Sequence, residues 1–250
     1  MVNKLKFDSL NNLIAHLQSL ESDTLKVHTL MQYFLDNVAY DYTTLELANL
    51  NIDAIISLDD KYDASIASDR AKVVSILMHT HGLSKEAVDR ILKNYGKEVV
   101  VSATPERVIM GKVQKAVPEH TIHCGLLGAY NQTYTPVKFK DGIITKGVCV
   151  DYAMFINQVC KKLGLDSHIV EGATPVSHVW NKIGNKNYDI TYAMFIRDHY
   201  NLWHENAGYC DFLGVTDEKL QKIHPNRVTY SIDGFSINRY KDIFTKSISD

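Results

Sequence analysis

Three side chains in the second half of the chain have the types and spacing of a nucleophile, its base and an orienting carboxylate. Cys149 lies in Gly147-Val148-Cys149-Val150-Asp151-Tyr152-Ala153, His178 in Ser177-His178-Val179-Trp180-Asn181, and Asp189 in Tyr188-Asp189-Ile190-Thr191. A thiolate nucleophile needs a base within hydrogen-bond reach, and the base needs a third group to hold its tautomer. Cys149, His178 and Asp189 are therefore a candidate catalytic triad, and the expectation is that they converge in space.

The elements that must bring them together are legible as patterns. Ala153, Ile156, Val159, Cys160 and Leu163 recur at helical spacing, and Gly164 is a stop. Cys149 is thus expected at the first turn of a helix, where exposed N–H groups and the positive dipole end favour a thiolate. Cys160, on the apolar face of the same run, reads as a small core residue. Ser167–Val170, Ser177–Ile183 and Tyr188–Tyr192 read as strands, and Gly184-Asn185 is a two-residue hairpin signal with glycine in the first central position. If residues 183 and 186 flank that turn, His178 faces Thr191 and Trp180 faces Asp189. His178 and Asp189 then share one face as diagonal neighbours about 7–8 Å apart at the backbone, within reach of an imidazole–carboxylate hydrogen bond. A slip of one residue would put them on opposite faces. In this register Trp180 shares the face of His178 and is expected to shield the His–Asp hydrogen bond from water.

Upstream, the first hundred residues read as mostly helical. Leu10, Leu13, Ile14, Leu17 and Leu20 form one apolar stripe, and Leu30, Met31, Phe34, Leu35 and Val38 another. Ser84 is a helix cap followed by Glu86 in the first turn, Lys93 in the last and Gly96 as the stop. Thr104-Pro105-Glu106 has the form of a further helix start. After Pro118 glycine, asparagine, threonine and tyrosine become frequent, helical periodicity disappears, and loops with short strands are expected. The expected division is a mostly helical portion over 1–118 packed on a core over 119–250, in an α+β fold.

These motifs together resemble the transglutaminase-like superfamily of cysteine acyl-transfer enzymes. The likeness runs well from about Phe139 to Tyr192. It extends more loosely to Tyr33–Asp41, similar to a helix-to-loop segment of bacterial members, and to Phe212–Pro225, similar to the segment after the last catalytic strand. The resemblance implies a papain-like core with Cys149 as nucleophile on a helix N-terminus and His178 and Asp189 on adjacent strands. It implies attack on a carboxamide or peptide carbonyl and transfer of the acyl group to an amine or water, with protein, peptide or small-amide substrates and no cofactor. The Cys149 backbone N–H would be one oxyanion donor, a contact worth about 3–4 kcal/mol when lost. Bacterial members carry a tyrosine about ten positions before the cysteine; Phe139 stands there and has no hydroxyl, which leaves Gln132 and Tyr134 as candidate substitutes. The extra β-domains and acidic calcium loops of animal transglutaminases and the paired-cysteine zinc site of peptide N-glycanases have no counterpart.

Composition narrows the alternatives. A formal net charge of −2 over 250 residues gives no reason to expect nucleic acid or an anionic membrane surface as a partner. No segment approaches the roughly 20 apolar residues of a membrane span, and the first residues do not read as a secretory signal. The expectation is a cytoplasmic protein, with export by a signal-independent route left open. Cys124, Cys149, Cys160 and Cys210 show no paired spacing and read as free thiols. His120, His123 and Cys124, or His79 and His81, would be the elements of a metal site, but neither set has a clear fourth ligand, and no metal is expected. The competing class is a non-catalytic binding or scaffold protein that keeps the fold, suggested by Phe139 and by the large helical portion.

Overall fold

The computed structural model describes residues 5–101, 103, 107–109, 112–116, 118–133, 138–173, 177–200, 212–223 and 230–231. The fold is mixed α+β with small sheets. Its contacts divide the chain into two compact units, Met1–Asp41 with Pro136–Asp250, and Tyr42–Thr135. This differs from the division expected at 118. The first two helices belong with the candidate triad because their apolar stripes are buried in the same core. Leu13, Leu17, Leu30 and Phe34 cluster with Phe155, Ile156 and Val159, and burial of such side chains is the main favourable term in folding.

In the first unit, α1 (Leu10–Gln18) and α2 (Asp23–Asn37) each begin at a serine whose hydroxyl accepts a first-turn N–H. Ser9 takes the Asn12 N–H and Ser22 the Leu25 N–H, both at 3.2 Å. A two-residue strand, β1 (Ala39–Tyr40), follows.

The second unit holds α3 (Tyr42–Ala48), α4 (Ile52–Lys61), α5 (Ala67–Ser75) running into a π-helical turn (Ile76–Thr80), and α6 (Lys85–Asn94). Ser84 caps α6 through the Ala87 N–H at 3.2 Å, and Gly96 beyond its end takes φ +75°, as the sequence pattern requires. Next come β2 (Glu98–Val101), β3 (Arg107–Ile109), β4 (Lys112–Gln114) and β5 (His120–His123), paired antiparallel as β2 with β5 and β3 with β4.

Two expectations fail here. Thr104–Glu106 lies outside the described residues, but the stretch that a helix starting there would occupy is the β3–β4 hairpin, in which Val108 opposes Val113; β-branched residues favour such pairing. The stretch after Pro118 also contains a helix, α7 (Leu126–Asn131). Its start is capped from a distant part of the chain: the Asp59 carboxylate accepts the Leu126 and Leu127 N–H groups. A side chain on Gly125 would collide with that carboxylate, its Cβ falling 2.6 Å from Asp59 Oδ1. A cap supplied 67 residues away leaves no local signal.

The first unit resumes with the hairpin β6 (Lys138–Lys140) and β7 (Ile143–Gly147), joined through Asp141 and Gly142, both at positive φ. Then follow α8 (Cys149–Lys162), β8 (Ser167–Ala173), β9 (Ser177–Ile183), β10 (Lys186–Tyr188), α9 (Ile190–Tyr200), β11 (Leu213–Val215), α10 (Asp217–Ile223) and β12 (Tyr230–Ser231). One sheet has the order β1-β7-β6, with β1 parallel to β7. The other is antiparallel in the order β11-β10-β9-β8-β12. No helix among the described residues is long and apolar enough to cross a membrane.

Candidate active site

Cys149 is the first residue of α8, directly after β7 ends. The junction is held from three directions. Strand β1 runs parallel to β7, with Tyr40 opposite Gly147, and the Asp41 N–H donates to the Gly147 carbonyl at 2.8 Å. From the first turn of α8, the Asp151 carboxylate accepts the Val148 N–H at 2.8 Å. Tyr152 accepts the Gly147 N–H at 3.2 Å and has the carbonyls of Ala39 (2.6 Å) and Gly147 (2.8 Å) within reach of its own proton. The segment Tyr33–Asp41 thus ends against the residue two before the cysteine. Cys149 is half-buried, whereas Cys124 and Cys160 are buried, and all three are free thiols. Burial pushes the Cys160 thiol up to about 12, an inert group at neutral pH. Cys210 lies outside the described residues.

The hairpin carrying the histidine has the expected register. Ile183 opposes Lys186, Lys182 opposes Asn187 and Asn181 opposes Tyr188, around a turn in which Gly184 takes φ +57°. The strand expected over Tyr188–Tyr192 does not form. It stops at Tyr188, and Asp189 begins a helix: its backbone carbonyl accepts the Ala193 N–H at 3.2 Å and its Oδ1 the Tyr192 N–H at 3.1 Å. An aspartate that can satisfy the open N–H groups of a helix start competes with continuation of the ladder. The Asp189 N–H donates to the Phe212 carbonyl at 2.7 Å, so both ends of the residue are tied.

With Oδ1 spent on the helix, Oδ2 of Asp189 meets Nε2 of His178 at 2.8 Å. The diagonal approach read from the hairpin therefore occurs, with the carboxylate fixed by a helix cap instead of a strand. The Cys149 thiol is hydrogen-bonded to the same ring. Since the carboxylate occupies Nε2, Nδ1 is the nitrogen left to face the sulfur. His178 is 6% and Asp189 0% exposed. Burial by itself disfavours the imidazolium, but the Asp189 charge and hydrogen bond, with those of Cys149, outweigh it and raise His178 to about 10.

Around the imidazole stand two aromatic rings. Trp180 is buried with its ring centroid 5.9 Å from that of His178, and its indole N–H donates to Asn187 Oδ1 at 2.9 Å. It packs with Val170, Val215 and Leu220. Tyr192 meets the imidazole edge-on at 5.4 Å. Tyr192 was invisible in the sequence as a site neighbour, because only a helix beginning after Asp189 brings it there. Asn181, on the alternate parity of β9, donates to the Ala153 carbonyl at 2.9 Å and ties this strand to the first turns of α8.

Gln132 and Tyr134 are the candidate oxyanion donors. Gln132 belongs to the Tyr42–Thr135 unit, where its backbone N–H closes the end of α7 and its carbonyl accepts from Asn94. Tyr134 lies outside the described residues. Phe139 sits on β6 with its ring 6.4 Å from that of Phe155. Among the described residues no three histidine, cysteine or acidic side chains form a group that could hold a metal ion. His123 is an exposed partner of Glu98 at 3.8 Å. The chain matches no protein-family model, no curated protein and no solved structure.

Proposed function

We propose that the chain is a cysteine-dependent acyl-transfer enzyme acting on amide or peptide carbonyls through a thioester. The observation that carries this is a single buried imidazole engaged by the Cys149 thiol on one side and by Asp189 Oδ2, at 2.8 Å, on the other. The half-buried thiol at a helix start, with α8 packed against the β8–β9 sheet, supports a transglutaminase-like, papain-like core of the kind the motifs resemble.

The chemistry follows from the protonation states. His178, raised to about 10, carries at neutral pH the proton that the leaving amine needs, and its positive charge stands beside the sulfur that acts as nucleophile. The Cys149 sulfur attacks the carbonyl carbon, and the C–N bond breaks as His178 gives its proton to the leaving amine. The neutral imidazole then takes a proton from water, whose oxygen attacks the thioester and releases Cys149. Asp189 holds the tautomer and stabilises the imidazolium in both steps. Water as the acceptor gives hydrolysis, and an acceptor amine in its place completes a transamidation. The substrate class is a protein, a peptide or a small amide.

Incubation with a glutamine-containing peptide and a labelled primary amine, read by mass, distinguishes the outcomes. Chain cleavage indicates a protease, a one-dalton gain deamidation, and amine incorporation a transglutaminase. Cys149→Ala should remove the activity while leaving the fold intact. No change in any peptide, together with a Cys149 that iodoacetamide labels no faster than an ordinary thiol, would leave the non-catalytic scaffold as the answer.

A further inference from the structure

We propose that Asp151 is a positioning residue for Cys149: by holding the Val148 N–H, its carboxylate sets the turn that presents the thiol to His178. This rests on the thiol chemistry proposed above and adds a residue to it.

The turn is two residues long, Gly147-Val148, and its backbone groups are taken up by specific partners. The Gly147 N–H and carbonyl go to Tyr152 and Asp41, and the Val148 carbonyl to the Tyr152 N–H at 3.2 Å. The Val148 N–H goes to Asp151 Oδ2 at 2.8 Å. Val148 is the cap position of α8, and valine has no side-chain acceptor with which to fix the helix start itself. Asp151 supplies the complementary contact from inside the helix, reaching back from the third helical position as in the acidic half of a capping box. The carboxylate also lies flush against the turn: a Cβ on Gly147 would fall 2.8 Å from both Asp151 Cβ and Oδ2. Cys149 thus directly follows a turn whose Val148 N–H Asp151 holds and whose Gly147 it packs against.

Its surroundings go beyond what capping alone requires. Asp151 is 2% exposed, and the nearby Asp41, also buried, carries Lys146 Nζ at 3.5 Å. Burial first, then the Asp41 charge, pushes the Asp151 carboxyl up to about 6 against the opposing pull of the Val148 N–H. A carboxylate kept buried beside another one at such cost has a geometric task, and the turn before the nucleophile is what it holds.

The test is the rate at which iodoacetamide alkylates Cys149 in the full chain, followed on the Cys149 peptide by mass at about pH 7 and about pH 10.5. Buried Cys160 serves as the fold control, since it stays unlabelled while the core is intact. His178→Ala should slow the reaction at pH 7 by about tenfold or more, toward the behaviour of an isolated thiol. Asp151→Ala should slow it similarly, because a thiol displaced from the imidazole loses the base that activates it. Asp151→Asn, whose amide oxygen still accepts the Val148 N–H, should keep about a third or more of the rate. At pH 10.5, where thiols in general are ionised without help, all variants should converge. Simple loosening of the structure would instead expose the thiol and speed alkylation at both pH values. If His178→Ala reacts as fast as the wild type, the thiol chemistry itself is wrong. If the wild type is fast and dependent on His178 but Asp151→Ala matches it at pH 7, the positioning role alone is overturned. Should Asp151→Ala fail to fold, Asp151→Asn decides: a fall to the His178→Ala rate with Cys160 still protected overturns the role.

Discussion

At the scale of the residue, Asp189 serves two structures at once. One carboxylate oxygen caps α9 through the Tyr192 N–H and the other holds His178. The helix cap holds the carboxylate in place by itself, so the hydrogen bond to Nε2 costs little further ordering. Asp189→Asn separates these roles, because an amide oxygen still caps the helix while the charge opposite the imidazolium is lost. The variant should still fold, with a melting temperature lowered at neutral pH because the buried charge pair is gone, and lose about four orders of magnitude in kcat, as in other triads whose carboxylate is neutralised. Retention of more than about a tenth of the wild-type rate on any substrate turned over would argue that Asp189 is only a cap.

At the scale of the element, the site depends on how β7 passes into α8. A Cβ on Gly147 meets Asp151 Cβ and Oδ2 at 2.8 Å, a distance at which one of them must move. Gly147→Ala should therefore destabilise the protein by about 1–3 kcal/mol and slow alkylation of Cys149 as well. Urea denaturation alongside the labelling rate checks this, and an unchanged midpoint with an unchanged rate would show that the junction yields at no cost. The β9–β10 hairpin was legible because its turn chemistry and alternation are local, and its register followed from Gly184-Asn185. Its end was not. Tyr188–Tyr192 alternates like a strand, but the open N–H groups of a helix start found an acceptor in Asp189.

At the scale of the whole molecule, two buried groups couple protonation to folding in the same direction. His178 rises from 6.5 to about 10 in the folded state, so it contributes stability that is full below about pH 6.5 and is lost as pH climbs toward 10. Asp151 rises from 3.8 to about 6, so the folded state again holds the extra proton, and this group's contribution falls as pH rises from about 4 to 6. The urea midpoint should drop between about pH 7 and pH 9.5, and the drop should flatten in Asp189→Asn, where the main source of the His178 shift is gone. A midpoint that rises over that interval, or a drop that persists undiminished in the variant, would contradict the buried His178–Asp189 pair.

What the sequence determined by itself was whatever depends on neighbours a few residues apart. That includes the helices begun by Ser9, Ser22 and Ser84, the helix headed by Cys149, the hairpin and its register, and with them the approach of His178 to Asp189. Tertiary structure decided what depends on groups far apart in the chain. The first 41 residues join the unit of the triad because α1 and α2 bury their stripes against α8 in one core, which no local pattern records. Helix α7 starts where Asp59 reaches it, and the turn before Cys149 takes its shape where Asp41 and Tyr152 bond to Gly147 across the β1–β7 pairing. Local periodicity reports which face of a segment is apolar, whereas the partner that covers that face, or satisfies its open backbone groups, is chosen only when the chain closes on itself.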